Sequence, residues 1–289
     1  MKTLGETLKY IRTSKGLKQE NLATNIISRA NYQKIEYDKV IPSYDRYIDI
    51  LNTLNIEFEE LGYIQHDFEP SKRMEIIYGF DNLLSSAQQE AMGILNKKCE
   101  DYLEKQNDQY ISDIHCTLKA IIKLENTNDF NLAKPFVSHI WDRLEPQNEW
   151  FIQDIRILAN IFYLFPNYTA KNIVERLLIH LKKYKYYKTS TKLELALKIN
   201  MATFLILDND LSSALKYIES ANIQATEARN YRSMSVCTLK KGIIISKEGN
   251  QKEGMKLIKK SIQMVEIFDD QLMINSYKNE VKDLLQLNI

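Results

Sequence analysis

Residues 28–43 read SRANYQKIEYDKVIPS. Tyr32 and Ile35 stand at the spacing of one helix face, and Ser28 sits where an N-cap belongs. If those two apolar side chains turn inward, Arg29, Ala30, Asn31, Gln33 and Lys34 lie on or near the exposed face. That polar set has a definite chemistry. Arg reads guanine, and Asn or Gln reads adenine, through paired hydrogen bonds in the major groove of duplex DNA. Ala30 is small enough to pack on a thymine methyl. Ser28 and Lys39 flank the set and complete it as a candidate DNA-contacting surface.

Working outward, the flanks break into short helical pieces. Leu4, Leu8 and Ile11 repeat at helical spacing and stop near Ser14-Lys15-Gly16. Leu22, Ala23 and Ile26 predict a second helix starting near Lys18-Gln19. There Gln19 and the backbone amides would grip phosphate. Pro42-Ser43 opens a fourth helix carrying Tyr47, Ile48, Leu51 and Leu54, and Phe58 and Leu61 close a fifth. Five short helices, two in tight succession, predict a helix-turn-helix bundle over residues 1–64. Charge agrees locally. Residues 1–46 hold nine Lys and Arg against five Asp and Glu, whereas 47–64 hold four acids and no Lys or Arg.

The run LKQENLATNIISRANYQKIEYDKVIPSYDRYIDILNTLNIEFEELG resembles the XRE-type, or repressor and Cro-like, helix-turn-helix domain. Leu17, Gln19, Leu22, Ala23, Ser28, Ile35, Glu36, Pro42, Leu51 and Leu54 carry the likeness. The usual turn glycine is missing, and Ala23 to Ser28 is one residue shorter than in most such domains. That departure, with a chain of 289 residues, resembles the Rgg/GadR/MutR transcription regulators of low-GC Gram-positive bacteria.

The remainder has a different organisation. Eight Gly and five Pro in 289 residues are too few for turn-rich β architecture. Pro70-Ser71 marks a junction, with residues 65–71 read as a linker. LDNDLSSALKYIESA (207–221) and KEGNQKEGMKLIKKS (247–261) then align at an offset of 40 residues. Ala214 matches Gly254 and Ala221 matches Ser261, so small residues recur where two helices must approach closely. Each unit is a helix, a polar turn and a second helix, which resembles a degenerate tetratricopeptide repeat. Helix pairs are expected near 72–105, 108–145, 149–185, 189–223 and 231–267, with a capping helix near 269–287. The fold is thus predicted to be all-α, with a right-handed TPR-like solenoid over 72–289 behind the DNA-binding head.

That layout is the one the Rgg resemblance implies. It further implies a homodimeric, cytoplasmic regulator that binds a palindromic operator and senses a short pheromone-type peptide in quorum sensing. The terminal repeats would form the dimer surface. An extended peptide presents unpaired amides and carbonyls, which Asn and Gln satisfy. First helices of successive pairs offer Arg156, Asn160 and Tyr163, then Asn200, Thr203 and Phe204, then Lys240. Asn200 and Lys240 occupy equivalent positions, and Lys240 or Arg156 would pair with a ligand carboxylate. A peptide-independent regulator and a repeat-domain adaptor are the alternative readings.

Other classes find little support. His66, His115, His139 and His180 are scattered without metal-ligand spacing, and no GxSxG, P-loop or GxGxxG occurs. Neither a catalytic residue nor a cofactor is expected. Cys99, Cys116 and Cys237 are far apart and read as buried thiols of a reducing compartment. No apolar run reaches the roughly 20 residues of a membrane span.

Overall fold

The computed structural model describes residues 1–23, 27–83, 89–187 and 189–287, and every regular element among them is helical. The chain divides into two compact units, Met1–Asn82 and Leu83–Ile289.

The first unit holds α1 (Leu4–Ser14), a 3₁₀ turn (Gln19–Leu22), α2 (Arg29–Glu36), α3 (Tyr44–Leu54), α4 (Phe58–Gln65) and α5 (Lys72–Asp81). A capping box starts α1: Glu6 N–H donates to Thr3 Oγ1, and Thr3 N–H donates to Glu6 Oε2 at 2.8 Å. Leu8, Ile11, Leu22, Tyr32, Ile35, Ile50, Leu51, Leu54, Leu61 and Ile64 form one buried core. The second expected helix is only a 3₁₀ turn among the described residues. Ala23, predicted to line it, is exposed because the backbone has already turned extended at that residue. Ile26 lies outside the described residues. Ser71 caps α5, accepting from Met74 N–H at 3.2 Å.

The second unit begins with α6 (Gln89–Leu103) and α7 (Gln109–Thr127), then α8 (Phe130–Ala133) and α9 (Ser138–Leu144). Next come α10 (Ile152–Ile161), α11 (Asn167–Lys183), α12 (Ser190–Leu207), α13 (Leu211–Glu227), α14 (Tyr231–Lys247), α15 (Gln251–Glu266) and α16 (Gln271–Leu285). Each pair expected from 108 onward is present, and α16 follows the last. Pro135 breaks the second helix of the 108–145 pair into α8, a 3₁₀ turn and α9, since proline has no N–H for the ladder. The first helices form a continuous row: α7 packs on α10, α10 on α12, α12 on α14, and α14 on α16.

The last turns follow a regular rule. Asn209, Arg229, Gly249 and Asp269 take positive φ, which reverses the chain after each helix. The next residues, Asp210, Asn230, Asn250 and Asp270, are N-caps whose side chains accept from the N–H three residues on. One helix and one such turn occupy 20 residues, so a pair occupies 40. Where α14 crosses α15, Gly242 and Gly254 meet. A Cβ on Gly254 would lie 2.6 Å from the Gly242 carbonyl oxygen. Ala214 and Ala221 are buried at the corresponding places of α13, as the alignment predicted.

The three cysteines are free. Burial pushes the Cys99 and Cys237 thiols up to about 12, so both are inert small apolar groups. Cys116 is half-buried, with its thiol also raised, first by burial and then by Asp113.

Candidate DNA-contacting face and inner helix row

The sequence folds α2 as a short, one-sided helix. Ser28 Oγ accepts from Asn31 N–H at 3.3 Å and fixes its start. Tyr32 is fully buried and Ile35 nearly so, which pins one face. Arg29, Ala30, Asn31, Gln33 and Lys34 are all exposed, as are Ser28 before the helix and Lys39 after it. Seven of the eight residues expected to contact DNA are therefore open to solvent on or beside α2.

The eighth, Gln19, behaves differently. It is half-buried, and its Nε2 donates to Glu36 Oε2 at 2.8 Å. Its side-chain amide is thus engaged within the protein. Arg12 completes this arrangement, which the sequence reading missed. Arg12 Nε donates to Glu36 Oε1 at 2.5 Å and Nη2 to Oε2 at 3.1 Å, while Nη1 reaches the Leu17 carbonyl at 2.7 Å. Burial pushes the Glu36 carboxyl up, but the Arg12 and Gln19 donors outweigh it and hold the group below the usual carboxylate range. The C-terminal end of α2 is thus clamped to α1 and to the 3₁₀ turn. Asp38 adds a second anchor just past the helix, accepting from Gly5 N–H at 2.9 Å and Thr3 Oγ1 at 2.5 Å. A rigid helix with a polar outer face can enter a major groove without first having to order itself.

On the repeat unit, the peptide-site expectations fall along α10, α12 and α14. Arg156 is half-buried and donates from Nη2 to Thr189 Oγ1 at 3.0 Å. Asn160 is half-buried, with Nδ2 on the Arg156 carbonyl at 2.8 Å. Tyr163 lies past the end of α10, on a 3₁₀ turn Phe162–Leu164, not on the helix as expected. Pro166 forces Phe165 into extended backbone, so the helix tightens and stops before it. Burial raises the Tyr163 phenol, which therefore stays protonated. Phe162 stacks edge-on against both Tyr163 and Phe204, at 5.6 and 6.1 Å between centroids, and joins α12 to that turn. Asn200 is exposed, and Thr203 is half-buried with its hydroxyl on the Ile199 carbonyl at 3.0 Å. Lys240 is buried at 5% exposure and ion-paired to Glu280 of α16. The predicted set thus offers Asn200 as an exposed carboxamide, Asn160 as a half-buried one, and the Phe162, Tyr163 and Phe204 rings in one aromatic cluster.

The family assignment rests on the larger unit. Residues 94–279 match the family described as HTH-type transcriptional regulator Rgg, C-terminal domain. The chain belongs to the Rgg family. Residues 8–61 match the helix-turn-helix family, the stretch that contains α2 and its clamp. The Rgg fold is also seen in solved structures. A chain described as a transcriptional regulator from Listeria monocytogenes EGD-e is 23% identical, with a TM-score of 0.79 over 99% of this chain and 98% of that one. The SHP pheromone receptor Rgg2 of Streptococcus dysgalactiae is 18% identical, with a TM-score of 0.72 over 97% and 99%. PlcR of Bacillus thuringiensis, solved with the peptide PapR7 and DNA, is 18% identical, with a TM-score of 0.68 over 97% and 99%. Among the described residues, no helix is long and apolar enough to cross a membrane, and no cluster of His, Cys, Asp or Glu could hold a metal ion.

Proposed function

We propose that this chain is a cytoplasmic, homodimeric transcription regulator that binds operator DNA through α2 and is controlled by a short peptide held on its inner helix row. The observation that carries the DNA half is the exposed set Arg29, Ala30, Asn31, Gln33 and Lys34 on a helix clamped by Arg12 and Glu36. Arg29, Asn31 and Gln33 are assigned to base edges, Ala30 to a thymine methyl, and Ser28, Lys34 and Lys39 to the backbone. Gln19 is assigned to holding α2 in place. One such helix reads a half-site, so two copies related by a two-fold axis would read a palindrome.

The peptide half draws on the row of α10, α12 and α14. Asn160 and Asn200 are assigned to amides and carbonyls of an extended chain, and Tyr163, Thr203, Phe204 and Arg156 to its side chains. Family membership supports this, as do two proteins of similar fold: PlcR was solved with the peptide PapR7, and Rgg2 is an SHP pheromone receptor. Peptide would act by population shift. A differential affinity of about 100-fold between two arrangements supplies roughly 2.7 kcal/mol, enough to switch promoter occupancy when the two are close in energy.

The test is calorimetric titration of the full chain with synthetic short peptides, followed by DNA mobility shift with and without the best binder. Saturable binding that changes the shift supports the reading. DNA binding unaffected by any bound peptide would leave a peptide-independent regulator.

A further inference from the structure

Four residues stand 40 apart on the row of first helices: Asn160 on α10, Asn200 on α12, Lys240 on α14 and Glu280 on α16. The last two touch, as the ion pair between Lys240 Nζ and Glu280 Oε1. Their exposures differ. The lysine side chain is 7% accessible and the glutamate side chain 23%. Solvent therefore reaches this pair from the glutamate side. A buried ammonium must keep an anionic partner, because leaving it unpaired incurs the full desolvation penalty. One carboxylate can replace another at such a site with little net change in the charge that Lys240 feels. Few other groups can.

We propose that Glu280 is a built-in stand-in for a ligand carboxylate, and that an acidic peptide group displaces it from Lys240. The inference rests on the peptide-sensing reading and specifies it. The peptide runs along Asn160 and Asn200 and delivers a carboxylate, terminal or from an Asp or Glu side chain, to the next position of the row. Displacement also has a structural consequence. Contacts joining α14 to α16 include Ser235 Oγ with Tyr277 Oη at 2.7 Å and Arg232 with Asp270 at 3.8 Å. Losing the Lys240 pair removes a tie further along α14 than these two and loosens the end of α16. A ligand event on the inner row is thereby passed to the terminal helix of the unit.

The experiment uses the full-length chain and three synthetic mixed-sequence heptapeptide pools. One has free C-termini and no Asp or Glu, one is amidated with no Asp or Glu, and one is amidated with a single Glu. Captured peptides are quantified by mass spectrometry after size exclusion. Wild type should retain members of an acidic pool over the neutral one. Glu280→Gln should raise that acidic capture about tenfold, as expected when a competing internal contact is removed, and leave neutral capture unchanged. Lys240→Gln should abolish the acidic preference, and Lys240→Arg should keep it. Circular dichroism melts confirm that each variant is folded. If Lys240→Gln fails to fold, the Glu280→Gln and Lys240→Arg results decide. Whichever acidic pool gains identifies the source of the carboxylate. Capture without any acidic preference in Glu280→Gln overturns this inference but leaves peptide sensing standing. No capture from any pool removes both.

Discussion

Arg12 of α1 and Glu36 at the end of α2 are joined by two hydrogen bonds, at 2.5 and 3.1 Å, with the carboxylate side chain only 1% exposed. This pair sets the position of the DNA-contacting helix. Removing one partner leaves the other charge buried and uncompensated, which costs about 3–5 kcal/mol. Arg12→Ala should therefore lower the unfolding free energy of the head by that amount and raise hydrogen exchange in α2. Arg12→Ala with Glu36→Leu should recover much of the loss, since no buried charge remains. Urea unfolding of the three proteins checks both expectations.

The same pair gives the head a pH dependence with a fixed sign. Glu36 has a depressed folded pKa, so its contribution is complete above the unfolded value of about 4.3 and fades as pH falls through the folded value. The stability gap between wild type and Glu36→Gln should be constant from neutral pH down to about 4.3 and narrow below it. A gap that widens on acidification would contradict the assignment.

Arg29 lies on the exposed face and plays no part in the clamp. Arg29→Ala should weaken specific DNA binding by about 1–3 kcal/mol and relax preference at one base position, with the melting temperature unchanged. Lys34→Ala should weaken binding to all sequences alike and reduce the salt slope by about one. Competition binding at several salt concentrations separates the two.

The residues legible in the sequence were those whose partners are near in the chain. Ser28, Tyr32 and Ile35 fix α2 within eight residues, so its start and its exposed face could be read directly. The 40-residue offset exposed the helix pairs because each carries its own turn and cap. Arg12 with Glu36 was hidden, since 24 residues separate them and neither sits in a local pattern. The bond from Gln19 to Glu36 was hidden for the same reason, since 17 residues separate the two. Tyr163 falls off its expected helix because Pro166 holds Phe165 in extended backbone and ends the helix early, an effect no local pattern at Tyr163 reveals. Glu280 was within reach. Carrying the offset one position past Lys240 finds it.

Asn200 is an exposed carboxamide on α12, a helix whose buried face includes Leu197, Met201 and Leu205. Asn200→Ala removes no buried contact, so stability should hold within about 0.5 kcal/mol. Peptide affinity should fall by about 1–3 kcal/mol, because backbone groups of the ligand lose their partner. DNA binding by the free protein should not change. Parallel measurement of melting, peptide titration and mobility shift tests all three, and simultaneous loss would point to folding instead.

The crossing of α14 and α15 depends on two missing side chains. A Cβ at Gly254 would meet Ser246 Oγ at 2.0 Å, the Gly242 carbonyl oxygen at 2.6 Å and the Ser246 backbone nitrogen at 2.8 Å. The serine side chain can rotate away, but the two backbone atoms cannot. The helices must then separate, which costs about 1–3 kcal/mol of overpacking strain despite the gain in helix propensity from Gly to Ala. Gly93 has open space around its Cβ position, so Gly93→Ala should instead stabilise α6 by about 0.5–1 kcal/mol. Opposite signs for the two substitutions, read from urea midpoints at equal slope, would establish that close backbone approach at Gly254, and not glycine content in general, holds the last helix pair together.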